Sequence, residues 1–142
     1  MLRDLELKHY MVKNPVTIGE TASLFEAMHL ILVNKISGLC VVDSDDMLVG
    51  VLSELDCLRG VLASVYNDSG VGIVADVMTS ENLSVAHADA SIADVAEQMM
   101  REQKRRRPVI DSEGKLVGQI TIRQILRAVK EFNFEPDATE AD

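Results

Sequence analysis

The chain of 142 residues has no tryptophan, two tyrosines and three phenylalanines, so it offers little on which single-stranded nucleobases would stack. It is also short of bases: 14 Lys and Arg against 23 Asp and Glu leave a net charge of −9. That deficit works against wrapping nucleic acid and against adhesion to anionic membrane. No apolar run approaches the roughly 18 residues of a membrane span, and the opening MLRDLELKHY is charged where a signal peptide carries its apolar core. A cytoplasmic location is expected. Cys40 and Cys57 stand among apolar neighbours at a separation that suits neither a redox pair nor a zinc knuckle, and they read as reduced packing residues. His9, His29 and His87 lack a second ligand at helical or hairpin spacing, so no metal is expected.

What the chain does contain is a duplication. The stretch GLCVVDSDDMLVGVLSELDCLR, Gly38 to Arg59, returns as RRPVIDSEGKLVGQITIRQILR, Arg106 to Arg127, at a constant offset of 68 residues without a gap. Ala22-Ser23 align with Ala90-Ser91, and Met11 with Met78 after a one-residue adjustment. The expected fold class is mixed α/β (α+β): tandem β-α-β-β-α repeats over residues 1–66 and 67–134, followed by a disordered acidic tail at 135–142. A single unit of about 60 residues is marginal alone. The two repeats are therefore expected to dock through their sheets about a pseudo-twofold axis, with helices outside and two related clefts between them.

Each repeat reads alike. An extended piece at Pro15 to Ile18, or Asn82 to Val85, leads to a helix with a capping-box pattern, Ser23 with Glu26 or Ser91 with Asp94. Apolar residues then recur at helical spacing: Leu24, Ala27, Met28, Ile31 and Leu32, and Ile92, Val95, Ala96, Met99 and Met100. Two apolar runs flank a polar turn at Ser44-Asp45-Asp46 or Ser112-Glu113-Gly114, the pattern of a hairpin. A closing helix follows, whose buried face is expected at Leu55, Leu58 and Leu62, and at Ile122, Ile125, Leu126 and Val129. Residues 61–73 supply the join.

Chemistry concentrates at the strand-to-helix junctions. Ser53 with Asp56, and Thr121 with Gln124, place a hydroxyl and an acceptor at a helix start, where free N–H groups favour anions. A carboxylate there can accept from the vicinal hydroxyls of a ribose. The same spacing satisfies a capping box without any ligand, and a cap can open when ligand arrives, so both readings stand. The second feature is Arg101, Lys104, Arg105, Arg106 and Arg107, five of the 14 bases within seven residues. Such a run is commonly a solvated face, yet the matching stretch Ser37-Gly38-Leu39 carries no charge. The asymmetry points to one cleft suited to anions.

The doubled pattern, with Asp-Val-Met-Thr at 76–79, Arg-Pro-Val-Ile-Asp at 107–111, Lys-Leu-Val-Gly at 115–118 and Gly-x-x-Ser-x-x-Asp at 50–56, closely resembles the CBS domain pair, or Bateman module. The resemblance implies a regulatory module that binds adenosine nucleotides or related ligands in its inter-repeat clefts, and many such modules form flat disc-shaped homodimers. It implies that the Ser or Thr of the motif meets phosphate and the Asp meets ribose. The stronger site would then comprise Ser53, Asp56, Asn82, Leu83, Lys104, Arg105 and Arg106. The weaker would comprise Pro15, Val16, Ile36, Ser37, Gly38, Thr121 and Gln124, because Gln124 offers a neutral acceptor where the pattern has an acid.

The expected function is an adenine-nucleotide sensor for AMP, ADP or ATP that relays occupancy to a regulated protein of unknown identity. The nucleotide is a regulatory ligand; no cofactor is expected. The alternative is a ligand-free dimerisation or protein-interaction module. No activated nucleophile, carboxylate pair or glycine-rich phosphate loop is legible, so the chain is not expected to be an enzyme. RNA binding through the basic run is disfavoured by charge and by the missing aromatics.

Overall fold

The computed structural model describes residues 4–134; the acidic tail expected to be disordered, 135–142, lies outside them. In chain order the elements are β1 (Val12–Lys13), β2 (Thr17–Gly19), α1 (Leu24–Asn34), β3 (Gly38–Val42), β4 (Leu48–Ser53), α2 (Glu54–Tyr66), α3 (Val74–Val77), β5 (Ala86–His87), α4 (Ile92–Glu102), β6 (Arg106–Ile110), β7 (Leu116–Thr121) and α5 (Ile122–Val129). A 3-10 turn at Leu7–His9 precedes them and a π turn at Lys130–Phe134 follows. They form two compact units, Val16–Leu83 and a terminal unit that joins the chain up to Pro15 with the chain from Ser84 onward.

In the 16–83 unit, β2 runs parallel to β3 and β3 antiparallel to β4. In the terminal unit the order is β1-β7-β6-β5, with β5 parallel to β6 and the other pairs antiparallel. The hairpin turns share one device. Asp43 Oδ1 accepts from the N–H groups of Asp45 and Met47, and Asp111 Oδ1 from those of Glu113 and Lys115, so the repeated Asp closes a local turn. Each unit has its own apolar core. Ile18, Leu24, Ala27, Ile31, Leu39, Val41 and Leu52 fill one; Leu7, Ile92, Val95, Met99, Val109, Ile120 and Ile125 fill the other.

The packing units do not follow the 66/67 division of the sequence repeat. Met78-Thr79, which align with the leader of the first repeat, lie on the first hairpin: Val51 and Thr79 exchange both backbone hydrogen bonds at 2.9 Å. Met11-Val12 lie in the same way on β7, where Val12 pairs with Gln119. Glycine permits both approaches. A Cβ on Gly50 would meet Thr79 O at 2.9 Å, and one on Gly118 would meet Val12 O at 2.8 Å.

Four local expectations need correction. The second extended piece, expected at Asn82–Val85, is instead β5 at Ala86–His87, because Asn82 adopts a left-handed φ of 53° that interrupts an extended run. Ser91 stands at the N-cap of α4 but makes no capping hydrogen bond; its hydroxyl is buried without a partner. The helical stripes are narrower than expected, since Leu32 and Met100 are exposed. Most clearly, Leu55, Leu58 and Leu62 are exposed, and so are Ile122 and Leu126 in the second copy. The face of α2 that turns inward carries Cys57, Gly60 and Ser64. A Cβ on Gly60 would stand 2.6 Å from Leu24 Cδ2 and 3.0 Å from Val77 Cγ1, so small residues are what lets α2 approach α1 and α3. Large side chains face outward for the same reason.

Candidate functional site

The site is built on helix starts. Ser53 ends β4 in extended conformation and caps α2: its Oγ accepts from Asp56 N at 3.0 Å, and its own N–H donates to Asp56 Oδ2 at 2.9 Å. Asp56 Oδ1 accepts from Arg59 Nη1 at 3.0 Å. The Asp56 side chain is 14% exposed and that of Arg59 65%, so the carboxylate is held in place while its guanidinium partner is free to leave. Burial pushes the neighbouring Cys57 thiol up, and the Asp56 and Glu54 carboxylates push it further. A thiol so held stays protonated, which fits packing and not nucleophilic chemistry.

The terminal unit repeats the arrangement. Thr121 caps α5, with Gln124 N donating to its Oγ1 at 3.3 Å and its own N–H donating to Gln124 Oε1 at 3.1 Å. The Thr121 hydroxyl also bonds Gln124 Oε1. Here the acceptor is a neutral amide where Asp56 offers a carboxylate.

The residues expected of the two sites fall into the units as follows. Ser53, Asp56, Asn82 and Leu83 belong to the 16–83 unit, as do Val16, Ile36, Ser37 and Gly38; Lys104, Arg105, Arg106, Pro15, Thr121 and Gln124 belong to the terminal unit. Within a unit the hairpin register brings residues of both expected sites to one corner. Gly38 faces Ser53, and Glu54 N donates to Ser37 O at 2.9 Å. Arg106 faces Thr121, and Ile122 N donates to Arg105 O at 3.1 Å. Lys104 and Arg105 are exposed and Arg106 is half-buried. The leaders match too: Asn14 and Asn82 take left-handed φ values of 52° and 53°, a conformation asparagine tolerates, immediately before Pro15-Val16 and Leu83.

Arg59, Ser84 and Glu102 were not singled out in the sequence, and Arg107 was read only as a member of the basic run. Arg59 lies one helical turn beyond Asp56, a spacing that was legible. Arg107 is 2% exposed, with Nη1 donating to Gln98 Oε1 at 2.7 Å and Nη2 to Glu102 Oε2 at 2.6 Å. Ser84 donates to the other oxygen of Glu102. Those bonds, from Ser84 first and Arg107 second, hold the Glu102 carboxyl below the usual range. The available signal was the alignment of Arg107 with Leu39, a charge at a core position. Among the described residues no cluster of His, Cys, Asp or Glu could hold a metal ion, and no helix is long and apolar enough to cross a membrane.

Comparison with known proteins agrees with this architecture. The CBS domain family model matches residues 7–63 and 74–131. The inosine-5'-monophosphate dehydrogenase of Aquifex aeolicus is 36% identical over 121 residues, 84% of this chain and 24% of the enzyme. The chain thus spans about a quarter of the dehydrogenase relatives it matches. The structure of Arabidopsis thaliana CBSX2 in complex with AMP is 29% identical, with a TM-score of 0.78 over 89% of this chain and 96% of that one. The CBS domain pair of protein MJ0100, in complex with 5'-methylthioadenosine and S-adenosyl-L-methionine, is 25% identical, with a TM-score of 0.74 over 89% and 97%. The two matched segments coincide with the two copies of the repeat, and the chain belongs to the CBS domain family, carrying the domain twice.

Proposed function

We propose that the protein is a regulatory module that binds an adenine nucleotide of the AMP, ADP or ATP type and relays its occupancy to a partner protein. The observation that carries this reading is the reciprocal Ser53–Asp56 cap at the start of α2: a carboxylate 14% exposed whose second oxygen accepts from the exposed Arg59. Asp56 accepts from the ribose hydroxyls, Ser53 meets phosphate, Asn82 and Leu83 meet adenine, and Lys104, Arg105 and Arg106 meet the remaining phosphates. The likeness to CBSX2 and MJ0100, each named with an adenosine ligand, supports the ligand class. Pro15, Val16, Ile36, Ser37, Gly38, Thr121 and Gln124 form the weaker site, lacking both the acid and the base run. The nucleotide acts as a regulator, and the chain itself has no catalytic role. Isothermal titration with AMP, ADP and ATP tests the reading: one dominant site is expected, two equal sites contradict the asymmetry, and no heat with any of the three rejects the nucleotide.

A homodimer, in the cytoplasm, is the proposed working form. Its support is a pair of exposed apolar side chains that occurs twice at equivalent positions: Leu58 and Leu126 are 54% and 63% exposed, Leu32 and Met100 71% and 76%. Exposed apolar area of this kind marks association, and a surface present in two copies suits pairing with a second chain about a twofold axis. This surface also serves the reading as a ligand-free interaction module, which titration separates from the first.

A further inference from the structure

A buried charge without a packing reason stands beside the proposed phosphate-binding run. Arg107 occupies the core position that Leu39 fills in the first repeat, and both are almost wholly buried. Leucine does the packing there at no electrostatic cost. Arginine has to be desolvated and paired, and in this case its Nε has no hydrogen-bond partner. The other members of its network also differ from their first-repeat counterparts. Ser84, Gln98, Glu102 and Arg107 stand where the first repeat has Val16, Leu30, Asn34 and Leu39.

The network joins two segments distant in sequence. Glu102 is the last residue of α4. One of its carboxylate oxygens accepts from Arg107 Nη2, which cannot turn to water because it is buried in β6; the other accepts from Ser84 Oγ, on the approach to β5. Lys104, Arg105 and Arg106 lie on the chain between Glu102 and Arg107, and Asn82-Leu83 lead directly into Ser84. Every second-repeat residue of the stronger site therefore lies within two residues of a member of this network. Val16 and Leu39 carry no polar side-chain atom, so the first repeat cannot build the equivalent.

We infer that Ser84, Glu102 and Arg107 form a positioning clamp that fixes the basic run Lys104, Arg105 and Arg106 against the approach to β5, a device that the second repeat has and the first lacks. The inference rests on the nucleotide reading above. Its test is titration of the full chain with AMP, ADP and ATP, using wild type, Ser84→Ala, Ser84→Thr, Arg105→Ala and the Ser84→Ala/Arg105→Ala double variant, with thermal unfolding of each. Loss of a hydrogen bond to a charged group is expected to raise Kd about tenfold in Ser84→Ala, with Ser84→Thr restoring the wild-type value. The Ser84→Ala effect should shrink strongly once Arg105 is gone, because the clamp acts through the bases it positions. Wild-type binding with an unchanged Kd in Ser84→Ala overturns the clamp alone. So does full additivity in the double variant. Wild type that binds none of the three overturns the nucleotide reading and the clamp together. Arg107→Leu, which installs the first repeat's own residue, should keep its melting temperature and share the loss of affinity; a wild-type Kd in that folded variant also overturns the clamp.

Discussion

Ser53 and Asp56 hold each other at the start of α2, each accepting from the other's backbone N–H, at 3.0 and 2.9 Å. The pair stabilises the helix and leaves Asp56 Oδ1 to accept from the exposed Arg59; in the proposed function that oxygen meets ribose. Stability and binding are therefore separable at Asp56. Asp56→Ala removes half the capping box and should cost about 1 kcal/mol, with loss of nucleotide binding. Asp56→Asn keeps a capping oxygen, so its melting temperature should return toward wild type while affinity stays low. Thermal unfolding and calorimetry on the two variants check this.

The glycine approaches predict a second pair of effects. Gly50→Ala sets a methyl 2.6 Å from Met78 Sδ and 2.9 Å from Thr79 O; Gly118→Ala meets Met11 Sδ at 2.5 Å and Val12 O at 2.8 Å. Sulfur can move, but a hydrogen-bonded carbonyl cannot, so each variant should lose about 1–3 kcal/mol in denaturant unfolding. Gly19→Ala is the control, with nothing within 4 Å of the added carbon.

The duplicated apolar surface predicts a change of assembly without a change of fold. Leu58→Glu and Leu126→Glu alter exposed positions, so unfolding free energies should stay within about 0.5 kcal/mol of wild type, once measured at equal subunit state. Analytical ultracentrifugation should find the wild type dimeric and the double variant monomeric. A wild type that sediments as a monomer removes the dimer proposal.

Acid should loosen the Glu102 network. Hydrogen bonds from Ser84 and Arg107 hold this carboxyl below its ordinary range, so its ionised form is favoured in the folded state. Its contribution is complete above the unfolded carboxylate range and disappears as pH falls through the depressed folded value. Ser84→Ala lets that value rise. The gap in melting temperature between wild type and Ser84→Ala should be present at neutral pH and close in acid, as thermal unfolding across a pH series will read.

The two hairpins and the four long helices were legible, since they rest on local signals: the repeated Asp turn, the N-cap Ser53 and Thr121, and apolar spacing around Leu24 and Ile92. The α2 face was misjudged because leucines outweigh glycine and serine in a pattern of hydrophobicity. Which side turns inward is decided by how closely Leu24 and Val77 approach Gly60, a quantity no spacing contains. Similarly, Ser91 has the right residue type for a cap and makes no capping bond, whereas Ser53 does.

The duplication, the hydroxyl-plus-acid junction and the cluster of bases could be read from residue order alone, because each is a matter of chemical type at short range along the chain. Assignment of Met11-Val12 and Met78-Thr79 to their hairpins, and the union of Ser84, Glu102 and Arg107 around one buried guanidinium, came from folding. They depend on segments many residues apart meeting at hydrogen-bond distance, and a side chain's partner across such a gap is chosen by packing, not by its neighbours in sequence.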